Sequence, residues 1–175
     1  MASGSGHQPL FGGGSYDGFI AKFSTNGVRI WGSYYGGVLD DGLYSCDADT
    51  SGNLYVSGNT QSANSTVIAT PGSHEPAMAS GLGAYLVKFN PAGVRQWGTY
   101  YAGYGLACAT DPSGNIFLAG VTSQLSGTTV STAGSHQTIF GGGSNDAYLA
   151  KFDPAGVRLW STDDGGAGQD TANAG

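Results

Sequence analysis

A fifteen-residue unit occurs three times in this chain. It reads DGFIAKFSTNGVRIW from residue 17, GAYLVKFNPAGVRQW from 83 and DAYLAKFDPAGVRLW from 146, with starts 66 and 63 residues apart. A tandem array of this kind must fold as one supersecondary unit stacked on copies of itself. The rare residues obey the same register. All six cations are repeat positions (Lys22, Lys88, Lys151, Arg29, Arg95, Arg158), as are Trp31, Trp97 and Trp160. His7, His74 and His136 recur likewise, and Cys46 and Cys108 share one position. Residues that would otherwise stand out as special are therefore explained first as repeat architecture.

The unit reads as a β-hairpin. In its first arm Tyr148, Ala150 and Phe152 alternate with Leu149 and Lys151, a period of two that puts the two sets on opposite faces. Asp153-Pro154-Ala155-Gly156 then places a turn-starting Asp, a φ-fixed Pro and a Gly at the left-handed fourth position. Asn90-Pro91-Ala92-Gly93 repeats it, and Ser24-Thr25-Asn26-Gly27 is a weaker version. Pro and Gly in the middle of the unit exclude a helix.

A second hairpin follows each of the first two units. Its turns are Asp49-Thr50-Ser51-Gly52 and Asp111-Pro112-Ser113-Gly114. The reading is thus all-β, in units of four short antiparallel strands, with 32 glycines and a charged fraction of 10% suiting strands and tight turns. The expected divisions are an entering connection at 1–16, a first blade with its long connection at 17–82, a second at 83–145 and a partial third at 146–175. The long connections, about 61–82 and 123–145, are expected to cross from the outer strand of one sheet to the inner strand of the next. With strands about 4.8 Å apart, they span that distance easily.

The wording around these units resembles the bacterial SBBP β-propeller repeats. The residues that carry the resemblance are Ser131-Thr132-Ala133-Gly134-Ser135-His136-Gln137, the unit 146–160 and the segment 111–120, DPSGNIFLAG. The resemblance covers essentially the whole chain. It implies propeller blades on a secreted or surface-attached bacterial protein, and it supplies no catalytic residues. Complete propellers have roughly four to eight blades, whereas this chain holds about two and a half repeats.

Charge and composition narrow the partners. A net charge of −6 with evenly spread cations argues against nucleic acid and anionic lipid surfaces. No apolar run reaches the ~18 residues of a membrane helix, and residues 1–6 carry neither basic region nor apolar core of a leader. Cys46 and Cys108, separated by a whole repeat, are expected to be buried free thiols beyond disulfide reach.

Few constellations carry chemistry. Asp47, Asp49 and Ser51 place oxygens at alternate positions before Gly52, as calcium loops do, though a hairpin turn uses the same residues to accept backbone N–H groups. The three histidines form a shared metal site only if their loops converge; otherwise each fixes its own loop. Lys22, Arg29 and their copies stand near Asp17 and Asp146, which reads as ion pairing or, more sharply, as an anion-binding ring. The aromatics Trp97 and Tyr101 serve core packing or, alternatively, face a sugar. His74, His136, Trp97 and Tyr101 are the candidate ligand-facing residues, with no cofactor and no catalytic set assigned.

The functional reading is a non-catalytic scaffold that presents its long loops to an unknown protein or glycan. A carbohydrate-binding propeller is the first alternative and a propeller hydrolase or lyase the second. Ring closure is expected to need further blades of a longer chain or a homo-oligomer.

Overall fold

The computed structural model describes residues 6–78, 81–123 and 130–173. The first five residues, read above for a leader, lie outside this set, as do 124–129 of the second long connection. Ten strands run in order: β1 Gly18–Phe23, β2 Arg29–Tyr35, β3 Asp41–Ala48, β4 Leu54–Thr60, β5 Gly83–Phe89, β6 Arg95–Tyr101, β7 Tyr104–Thr110, β8 Ile116–Thr122, β9 Asp146–Phe152 and β10 Arg158–Asp164. All pairings are antiparallel. The described residues contain no helix. The fold is all-β, as the hairpin pattern implies.

The hairpins close by local chemistry. In β9–β10 the Asp153 N–H donates to Val157 O at 2.9 Å and the Gly156 N–H to Asp153 O at 3.0 Å. The Asp153 carboxylate accepts the N–H groups of Ala155 and Val157, each at 2.9 Å. Gly156 has φ +87°, a value that a β-carbon would strain. Beyond the turn the register slips by one residue between Arg158 and Trp160, the bulge that a left-handed turn residue generates.

Which hairpins share a sheet differs from the expectation. The sheets are β1-β2, β3-β4-β5-β6 and β7-β8-β9-β10. Each four-stranded sheet joins the second hairpin of one repeat to the first hairpin of the next, so the sheets straddle the boundaries at 82/83 and 145/146. The lone hairpin is β1-β2, at the start, and 146–175 completes the third sheet. The crossings between sheets are the short ones, residues 36–40 and 102–103.

The long connections do different work. The second lies between the paired strands β8 and β9, and the first leaves β4 and returns to its neighbour β5, with Leu54 opposite Phe89 and Val56 opposite Val87. On the way the connection runs along the outer edge of β6. Thr70 N–H donates to Gly98 O at 2.9 Å, and Tyr100 N–H to Glu75 O at 3.0 Å. On the other two sheets, Tyr34 N–H meets Gln8 O and Asp163 N–H meets Gln137 O. An uncovered edge would present a row of unpaired amides. Here the connection covers it, and so β6 cannot pair with β7.

Alternation along the central strands fills two cores. Tyr85, Val87 and Phe89 of β5 pack with Ile20, Trp31 and Tyr35 of the first sheet. Ala84 and Leu86 turn the other way, toward Ile116, Leu118, Tyr148 and Phe152 of the third. The sheets are therefore stacked face to face. At about 1.5–3 kcal/mol per fully buried large side chain, this packing outweighs exposed ion pairs, worth about 0–1 kcal/mol each.

Candidate functional site

The residues that repeat most strictly meet at the borders between sheets. Trp31 Nε1 donates to Pro91 O at 3.1 Å, and Lys22 Nζ reaches the same oxygen at 3.3 Å. One sheet further on, Trp97 Nε1 donates to Pro154 O at 3.1 Å and Lys88 Nζ at 3.0 Å. The glycine of each turn lies against the indole it caps: a β-carbon on Gly93 would stand 2.8 Å from Trp31 Cδ2, and on Gly156 2.8 Å from Trp97 Cδ2. The sequence marked Pro and Gly as turn formers only. Their second role, as the socket for the preceding sheet's tryptophan, needs the stacking of two sheets to be visible.

The histidines belong to the same borders and do not converge. His7 stacks near Tyr35 (6.0 Å) and Phe89 (6.1 Å), and His74 near Tyr101 (5.9 Å) and Phe152 (5.8 Å). Burial, helped by Arg95 for His7 and Arg158 for His74, lowers both pKa values to about 4. Both rings are therefore neutral at pH 7. Their Nε2 atoms are buried with no hydrogen-bond partner. His136, the third copy, is exposed.

The candidate calcium oxygens face donors. Asp47 accepts Thr110 N–H at 2.6 Å and Thr110 O–H at 2.8 Å, which ties β3 to β7 across the sheets. Asp49 accepts N–H from Ser51 and Asn53 and the Asn53 amide, closing its own turn. These hydrogen bonds hold both carboxyls below their ordinary pKa, against the opposing effect of burial. Among the described residues no three His, Cys, Asp or Glu side chains are grouped as a metal site.

The acidic residues near the cations also bind backbone. Asp17 accepts Gly12 N–H at 2.5 Å, and Asp146 accepts Gly141 N–H. An ion pair does form between Lys151 and Asp111, at 3.3 Å. Asp41, which no motif marks, is a pin for the long connection. Fully buried, it takes hydrogen bonds from the Thr60 and Ser62 hydroxyls and from Gly37 N–H.

Among the grooves that the described residues line along these borders, two hold candidate residues. The larger, about 810 Å³, lies between the second and third sheets and is walled by the His74 connection, Gln96, Lys88 and the Pro154 turn with Arg158. It brings His74 and Trp97 together, although Trp97 is only 9% exposed. Tyr101 is not in it; at 1% exposure its faces are spent on Tyr148 and Phe152. The smaller groove, about 500 Å³, lies on the third sheet and holds His136 beside Trp160.

Both cysteines are free. Cys108 is buried and Cys46 is exposed, which corrects the expectation of two buried thiols. The second sheet covers Cys108, whose neighbours are Ser45 and Tyr55, whereas the β1–β2 hairpin is too narrow to cover the matching face of β3.

Stacked four-stranded antiparallel meanders define a β-propeller-like repeat protein. No protein-family model matches the chain. It is similar to an uncharacterised WD repeat-containing protein of Acanthamoeba polyphaga mimivirus, 26% identical over 187 residues. The match takes in 99% of this chain and 14% of that protein, so the chain spans a small part of the relative's length.

Proposed function

We propose that this chain is a non-catalytic interaction scaffold of SBBP-type propeller blades, acting outside a bacterial cell, and that the larger groove seats an acidic segment of a partner protein. One observation carries the binding reading. The groove's walls include Lys88 and Arg158 and no carboxylate, on a chain whose net charge is −6. A local positive field on an acidic surface selects a short acidic ligand over a large anion, which the rest of the surface repels. Gln96, exposed at the groove wall, adds amide donors and an acceptor for a peptide backbone.

The scaffold reading rests on His7, His74, Trp31, Trp97, Asp47 and Asp153, which are engaged in holding sheets and turns together. Where they are described, the long loops lie against the outer strands, and the first contributes one wall of the groove, so the binding surface is the groove and not a free loop. A carbohydrate would need open aromatic faces, and the rings of Trp97 and Tyr101 are covered. Bacterial origin and an extracellular place rest on the SBBP resemblance.

The test is fluorescence anisotropy with labelled acidic, neutral and basic decapeptides of mixed sequence. Acidic peptides should bind, weaken with added salt, and be lost in Arg158→Ala with Gln96→Glu. Binding that ignores peptide charge, or survives both changes, would remove this assignment. A glycan array bound by the chain would favour the lectin alternative.

A further inference from the structure

The tryptophan–turn contact is made twice within the chain, and the two halves of a third contact stand open at opposite ends of the stack. Trp31 and Trp97 are 3% and 9% exposed, each capped by the next sheet's turn, whereas Trp160 is 37% exposed. The turns at Gly93 and Gly156 are filled by an indole, whereas nothing lies within 4 Å of a β-carbon built on Gly27. Gly27 has φ +75°, matching +80° and +87° at its two counterparts, so the empty socket already has the shape of the filled ones.

A second contact is divided in the same way. His7 packs on Phe89 and His74 on Phe152, both phenylalanines fully buried. The remaining copies are His136, exposed on the third sheet, and Phe23, 57% exposed on the first. The lysine follows suit. Lys22 and Lys88 reach the carbonyl of the turn proline, while Lys151 instead pairs with Asp111.

We propose that the third sheet of one chain docks on the first sheet of a second copy, with Trp160 against the partner copy's Gly27 turn and His136 against its Phe23. The surface continues an interface already built twice in the molecule, and this fixes the occupant and its orientation. Because plug and socket are different surfaces, the association is head to tail. It gives a ring or a filament according to the rotation per step. One bond of the internal interfaces is absent from it. Tyr35 and Tyr101 donate to Ile68 O and Val130 O of the next sheet, but the third copy of that position is Asp164. Docking between copies is therefore weaker than stacking within the chain, and assembly depends on concentration. This inference stands independently of any ligand in the larger groove.

Size exclusion with light scattering on the 175-residue chain, over a wide concentration range, tests it. The mass should rise with concentration. Trp160→Ala removes the plug, and Gly27→Asn fills the socket with a residue that tolerates a left-handed φ. Each should return the chain to a monomer with a cooperative melt. An equimolar mixture of the two variants should form dimers and nothing larger, since one intact plug meets one intact socket. A chain monomeric at every concentration would overturn the proposal. So would either variant assembling like the parent, or a mixture that stays monomeric.

Discussion

Gly156 lies against the indole of Trp97, with no room for a β-carbon between them. The same glycine carries φ +87°, so one residue satisfies a turn and an inter-sheet contact at once. Gly93 and Trp31 repeat the relationship at the preceding border.

Gly156→Val should therefore cost more than Gly27→Val. Both variants suffer the backbone strain of a β-branched residue in the left-handed region, at least about 1 kcal/mol. Only Gly156→Val also displaces an indole. Urea denaturation of the two variants, under dilute conditions, should show the larger loss at Gly156. Equal losses would mean that the indole yields without cost.

Trp97→Ala removes a buried ring and its bond to Pro154 O. The expected loss is about 3–5 kcal/mol, the range for large aromatics truncated in cores. Trp160→Ala, at an exposed copy that still touches Phe117, should cost the monomer clearly less. Thermal melts of both variants at low concentration check the contrast.

Thiol labelling should distinguish the two cysteines. Burial pushes the Cys108 thiol up, so it is both covered and protonated at neutral pH. In the native chain a maleimide should modify Cys46 alone, and both sites should react in denaturant. Peptide mapping by mass spectrometry reads the outcome; native modification at Cys108 would mean that the second and third sheets separate readily.

Stability should fall as pH drops from about 6.5 to about 4. In that window His7 and His74 stay neutral in the folded chain, with pKa values of about 4, while the unfolded chain binds protons near its ordinary value of 6.5. The histidine contribution is full above the window and spent below it. Each ring is half-buried, so solvent screening reduces the effect. Asp17, Glu75 and Asp163, whose carboxyls burial pushes up, act in the opposite sense at the acid end. Denaturant midpoints across this range should slope for the parent chain and flatten for a His7→Phe, His74→Phe double variant.

Much of the architecture is legible residue by residue. Asp153 and Gly156 close their turn through bonds spanning at most four residues, and Tyr148, Ala150 and Phe152 declare their shared face by alternation alone. The free cysteines follow from the repeat register. The site residues are less legible, because their partners lie in another sheet. Trp97 meets Pro154 57 residues away, and Asp47 meets Thr110 63 residues away. Nothing in the local sequence of Asp47 distinguishes a carboxylate that binds a neighbouring strand from one that binds a cation.

Local chemistry along the chain sets the hairpins, their turns and the period at which they recur, since these depend on short-range hydrogen bonds and on side-chain alternation. It does not determine how the hairpins are grouped, because a tandem repeat reads the same wherever it is cut. Tertiary structure decided that phase. The connection that pairs through Thr70 and Glu75 occupies the outer edge of β6, leaving β4 to pair with β5 and β7 to begin a new sheet. The choice lies in long-range hydrogen bonds and in two cores, one on each face of β5, that form only when the sheets stack.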